Sequence, residues 1–208
     1  MVRGGGAVMG QVRSGVARAA LMLAAALWPA VAWAHVEKGR ALGFLTGLRH
    51  PVSGLDHVLA MIAVGLWGAQ LGAPAVWLLP VTFPLVMAFG GMLALMGVRL
   101  PGIEVGVALS GILLGSAILT EWRPPLWLAV GLVGFFAIFH GHAHGSELPA
   151  GASGLLYSIG FVVATGTLHA IGISIGAMHR WGWGRVALRV AGGIVAAAGA
   201  FFLWRAVA

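Results

Sequence analysis

Six apolar runs of membrane-crossing length, set close together and almost free of charge, constrain this chain more than any other feature. They lie near residues 53–71, 75–98, 103–121, 125–145, 152–179 and 185–206. About 20 apolar residues in helical form are what a bilayer's hydrocarbon core requires. The breaks carry turn formers or helix breakers: LGAP, VRLPG, EWRPP, GSELPAG and HRWGWGR. With 8% charged side chains in 208 residues, the chain cannot coat a soluble domain in water-facing groups. The expected fold is all-α: a polytopic membrane helix bundle with six transmembrane helices. No linker, low-complexity tract or internal repeat divides it.

The N-terminus reads as an export signal. Arg3, Arg13 and Arg18 precede the apolar stretch AALMLAAALWPAVAWA, which closes on Ala32-Trp33-Ala34, an A-x-A cleavage pattern. Pro29 suits a cleavable segment better than a stable span, although an uncleaved anchor is the alternative. The expected organisation is a signal peptide over 1–34 and one six-helix domain over 35–208. Cleavage after Ala34 leaves His35 first, its free amine beside its imidazole. An exported N-terminus and six spans put both mature termini outside. Arg123, Arg180, Arg185 and Arg189 then fall inside, and Lys38, Arg40, Arg49, Arg99 and Arg205 outside, so basic residues alone do not set orientation. Trp67, Trp77, Trp122, Trp127, Trp181 and Trp183 are expected as an aromatic belt at the inner interface. The net charge of +7 is scattered over segment ends without a basic patch. It therefore speaks for topology and lipid headgroups, not nucleic acid.

Two polar stretches interrupt this pattern: HPVSGLDH at 50–57 and FHGHAHGSE at 139–147. They begin the first span and end the fourth, so they lie on the same side of the membrane, as does Glu104 at the start of the third. Ionisable groups in membrane segments are rare and usually mark a pathway or ligand site. His140, His144 and Glu147 follow i, i+4, i+7 spacing and share one helix face, with His142 on roughly the opposite one. Pro51 and Gly54 place His50 in a turn and Asp56 and His57 in the first helical turn. Met61 follows one turn on, to ligate or merely to pack. The chain has no cysteine, so a metal here must take imidazole and carboxylate, which suit nickel, cobalt, zinc or iron better than Cu(I). The expected metal-binding residues are His50, Asp56, His57, Glu104, His140, His144 and Glu147, with His35 as an N-terminal candidate. His169 lies 15 residues into the fifth span, about 22 Å along a helix. Near Thr165 and Thr167, it is either a second metal station or an imidazole hydrogen-bonded across helices.

Simpler readings stand beside these. Ser53-x-x-Asp56 is also a capping-box pattern. Glu104 suits a helix N-terminus on charge alone, Glu121 beside Arg123 suits an interfacial ion pair, and His179 suits the inner interface. The G-x-x-x-G pairs Gly111/Gly115 and Gly172/Gly176 are expected as packing faces. Gly141 and Gly145 let a neighbouring helix approach or let the helix end unwind.

The two polar stretches resemble the HupE/UreJ family of bacterial membrane proteins, regarded as nickel or cobalt permeases associated with hydrogenase and urease systems. The resemblance covers nearly the whole mature chain. His50, Asp56 and His57 match the family's pattern of histidine, five residues, then Asp-His. Phe139, His140, His144 and Glu147 match Phe-His-Gly-x-Ala-His-Gly-x-Glu, in which His142 occupies a variable position. The resemblance implies that Asp56, His57, His140, His144 and Glu147 matter for transport, with His50 and Glu104 in support. It implies a secondary transporter in the bacterial inner membrane, multi-pass, with a periplasmic N-terminus. The substrate is a divalent metal, Ni²⁺ first and Co²⁺ next, moved from periplasm to cytoplasm, and a hydrogenase or urease maturation system is the expected partner. No prosthetic group and no enzymatic activity are expected, and no G-x-x-x-x-G-K-[ST] phosphate loop for a built-in ATPase occurs. Three rivals remain: a membrane enzyme, despite the absence of H-E-x-x-H; a haem-binding electron carrier, with histidines as axial ligands; and a metal-binding sensor or chaperone that does not transport.

Overall fold

The structure, a computed structural model, describes residues 40–146 and 153–208. All regular elements among them are helical: α1 (Arg40–Arg49), α2 (Leu55–Leu71), α3 (Ala75–Leu95), α4 (Ile103–Leu119), α5 (Leu126–Ser146), α6 (Gly154–Gly176) and α7 (Gly182–Val207). Short 3-10 turns, His50–Val52 and Ala177–Arg180, precede α2 and α7. The signal peptide expected at 1–34, His35 and Glu147 lie outside the described residues.

Each of the six expected apolar segments is represented by a helix, α2 to α7. By length and composition four apolar stretches suffice to cross a membrane: Ala75–Leu95, Leu126–Gly145, Gly154–Arg180 and Gly182–Val207. The pair Gly43–Val52 and Leu55–Leu71, bent by 80°, makes a fifth if counted as one span. The sixth, α4, has 17 residues. That gives roughly 25 Å of rise, short of a typical hydrocarbon core, because the turns VRLPG and EWRPP trim it at both ends. Helix α1 was not expected from the sequence, which assigned no element before the turn at His50.

Helix α2 is the centre of the bundle. Its residues are buried almost without a break from Ala60 to Gln70, and burial on all sides rather than along one stripe is the mark of a central helix. Met61 belongs to this apolar core. The other helices pair closely: α3 with α5, α4 with α7, and α6 with both α2 and α1. Small residues explain the closeness. A Cβ at Gly115 would overlap the backbone of Ala196 in α7, and one at Gly172 would overlap the Ile62 carbonyl in α2. A Cβ at Gly141 would overlap the Met87 carbonyl in α3. The two G-x-x-x-G pairs are thus packing faces, and Gly141 and Gly145 admit a neighbouring helix rather than unwinding α5.

The perimeter is apolar, with Trp77, Leu85, Trp127, Leu155, Val186 and Ile194 all exposed. In lipid such a surface is matched to its solvent, and the backbone polar groups are satisfied inside the helices. Trp67 departs from the expected belt. It is fully buried, stacks on Trp122 at 6.0 Å, and its indole N–H donates to the Trp122 carbonyl at 3.1 Å. Glu121 and Arg123 line one small cavity with Gln70, His179 and Arg185, but no ion pair joins them.

Candidate metal site

The HPVSGLDH stretch breaks the chain between α1 and α2. Ser53 does not form a capping box: its hydroxyl donates to the His50 carbonyl at 2.6 Å, and Gly54 caps α2 without a side-chain bond. Asp56 is therefore available to His57. One carboxylate oxygen, Oδ1, accepts from the His57 backbone N–H at 2.9 Å and from its ring Nδ1 at 2.9 Å. A carboxylate only accepts, so Nδ1 carries the proton and Nε2 keeps its lone pair. This is how carboxylate–histidine pairs prepare an imidazole to bind a metal.

His140 is oriented by a partner the sequence reading missed. The Ser110 hydroxyl, on α4, donates to the Val107 carbonyl at 2.6 Å and lies 2.9 Å from His140 Nε2. Its single proton is already given away, so His140 Nε2–H donates to it and His140 Nδ1 holds the lone pair. Ser110 and His140 are both fully buried. A buried hydroxyl in an apolar span is the available sequence signal, because it must find a partner.

The rings form a row. Centroid separations are 4.6 Å from His50 to His144, 4.4 Å from His144 to His57 and 4.8 Å from His57 to His140. Phe83 continues it, 5.3 Å from His140 and 5.6 Å from His169. Metal–nitrogen bonds of ~2 Å would put two ligating rings roughly 4.5–5.5 Å apart, so the histidine spacings lie at the close end of that range. His57 Nε2, His140 Nδ1, both nitrogens of His144 and His169 Nε2 are buried without a hydrogen-bond partner. One nitrogen of His144 is an N–H and the other an acceptor; unpartnered buried polar atoms of this kind are uncommon and call for water or an ion. Among the described residues no group of three His, Asp or Glu side chains is arranged to hold a metal ion as it stands.

The row meets an open cleft part-way along, at His57. A cleft of ≈ 450 Å³ is lined by Asp56, His57, Glu104, Val107, Ala143, Phe202 and Arg205. Asp56, with 32% of its side chain exposed, faces this cleft, while His57, at 13%, lies further in. Glu104, in the first turn of α4, shares the cleft but makes no bond with the histidines. The structure thus gathers His50, Asp56, His57, His140 and His144, sets Glu104 at the mouth, and places His169 deeper. His142 faces elsewhere, and its Nε2 donates to the Val98 carbonyl at 2.7 Å, tying α5 to the loop after α3. His179 is likewise engaged locally, donating from Nδ1 to the Gly176 carbonyl at 2.9 Å.

Residues 21–202 match the HupE / UreJ protein family. Protein HupE of Rhizobium leguminosarum bv. viciae is 47% identical over 181 residues, which cover 87% of this chain and 94% of the relative. No solved structure matches. A match over most of the chain, with the two histidine motifs meeting in space, leads to one conclusion: the chain belongs to the HupE / UreJ family.

Proposed function

We propose that the protein is a secondary permease for a divalent transition metal, with Ni²⁺ the first candidate and Co²⁺ the second. The observation that carries this is a row of imidazoles inside an apolar bundle that meets, at His57, an open cleft bearing two carboxylates and Arg205. Asp56 and Glu104 draw a hydrated cation to the mouth, since an acid-lined cleft raises the local concentration of cations. His57 and then its neighbours His144 and His140 replace part of the hydration shell, with Glu147 expected to join them. Pairwise contacts suit passage, because conduction needs sites that bind well enough to admit an ion and weakly enough to release it. The family's association with hydrogenase and urease systems supports nickel or cobalt as the ion.

In this reading the protein sits in the bacterial inner membrane, the segment 1–34 is removed during export, and His35 begins the mature chain on the periplasmic side. The ion moves toward the cytoplasm by way of His169 and is delivered to a hydrogenase or urease maturation system. The competing function is a sensor or chaperone that binds the same ion without moving it.

Uptake into proteoliposomes enclosing a metal-responsive dye separates the two. Ni²⁺, Co²⁺, Zn²⁺ and Fe²⁺ are compared with the native chain and a His140→Ala/His144→Ala variant. Saturable flux of one ion, abolished in the variant, is the expected result. Stoichiometric binding without flux in either protein would replace the permease with a sensor or chaperone.

A further inference from the structure

Helix α3 contains two prolines four residues apart, Pro80 and Pro84. In an α-helix the carbonyl of residue i accepts from the N–H of residue i+4. Pro84 has no N–H, so the sequence itself strips the Pro80 carbonyl of its helical donor. In a bundle interior an unpaired carbonyl is costly and seeks a partner from a neighbouring helix.

That partner is His169 on α6, whose Nδ1 lies 3.2 Å from the Pro80 oxygen. A carbonyl can only accept, so the His169 proton sits on Nδ1 and the lone pair on Nε2. His169 is 2% exposed, and Nε2 has no hydrogen-bond partner. Phe83, one residue before Pro84, stands between this ring and His140. The opposite tautomer would turn an N–H, which a cation cannot use, toward the space where a lone pair is needed.

We propose that Pro84 is a positioning residue for metal passage: by freeing the Pro80 carbonyl it holds His169 in the Nδ1–H tautomer and presents Nε2 as the ligand beyond Phe83. The proposal rests on the permease reading, and it adds a specific ligand atom and the backbone device that prepares it. It also resolves the two readings of His169, since the cross-helix hydrogen bond is the means by which the imidazole is readied.

The test compares native protein, Pro84→Ala and Pro80→Ala, each labelled with nitrogen-15 histidine in lipid nanodiscs. Ring nitrogen shifts report the tautomer, and a His169→Asn spectrum identifies the His169 signal. Pro84→Ala restores an N–H to the Pro80 carbonyl. It is expected to lose the Nδ1–H signature and to lower Ni²⁺ affinity about tenfold, the lower end of what loss of a supporting hydrogen bond does at metal sites. Pro80→Ala relieves a helix proline equally but leaves residue 84 without an N–H, so signature and affinity are expected to stay native. A native tautomer in Pro84→Ala, or equal losses of affinity in both proline variants with the tautomer unchanged, would overturn the proposal and reduce Pro84 to a kink. His169→Asn keeps a donor for Pro80 but has no ring lone pair. Should Pro84→Ala fail to fold, native Ni²⁺ affinity in His169→Asn, or an Nε2–H signature for His169 in the native protein, would overturn the proposal, and reduced affinity together with a native Nδ1–H signature would uphold it. Absence of flux in the native protein would sink the permease reading while leaving the tautomer and affinity tests intact.

Discussion

Replacing Ser110 with alanine tests how His140 is prepared for a metal. Both residues are fully buried. The substitution therefore leaves the His140 Nε2–H without an acceptor and the Val107 carbonyl without its second donor. An orphaned buried donor costs about 1–3 kcal/mol. Loss of a hydrogen bond that supports a metal ligand typically lowers affinity about 10–100-fold, which corresponds to about 1.4–2.8 kcal/mol at 1.4 kcal/mol per decade. The first figure is a loss of stability and the second a loss of affinity, so the two are read in separate measurements. The half-saturating Ni²⁺ concentration for proteoliposome uptake is expected to rise by at least about tenfold, and Ser110→Thr, which keeps a hydroxyl, recovers most of that loss. Thermal unfolding, measured in parallel, separates positioning from stability. A destabilised Ser110→Ala protein with native half-saturation would refute the reasoning, because the hydroxyl would then support only the fold.

Asp56→Asn keeps an acceptor for His57 but removes the charge at the mouth, so saturable uptake is expected to fall about 10–100-fold while the fold survives; native uptake would exclude Asp56 from the path. Gly141→Leu forces a side chain into the Met87 carbonyl and is expected to cost at least about 1–3 kcal/mol of stability. Gly131→Ala, where a Cβ meets nothing within 4 Å, should melt like the native protein. Because the chain has no cysteine, single cysteines at Leu155 and Trp183 can be labelled from either side of intact cells. Labelling of Leu155→Cys alone from outside supports a periplasmic site, and labelling of Trp183→Cys alone reverses the orientation.

The helices were legible because the information for them is local. Apolar length marked α3, α5, α6 and α7, and Pro51 with Gly54 marked the break before α2. Convergence of HPVSGLDH with FHGHAHGSE followed from counting spans, since helix ends that alternate sides bring the start of the first beside the end of the fourth. Helix α1 was missed because its ten residues are short and moderately polar, and packing against α6 supplies what their pattern lacks. The partners of the histidines were hidden for a different reason. Ser110 and His140 lie 30 residues apart, and Pro80 and His169 lie 89 apart. Nothing in an isolated serine or proline names the imidazole it will meet. Phe83 is chemically ordinary and gains meaning only from the rings on either side.

The 80° break before α2 also has an electrostatic consequence. The start of α2 lines the cleft through Asp56 and His57, and a helix start carries roughly half a positive charge from its unpaired amides. Left alone, that pole would repel a cation. Asp56, in the first turn of α2, sets a full negative charge against that half charge. The carboxylate thus lets a helix end that would ordinarily attract anions face the cation route proposed above.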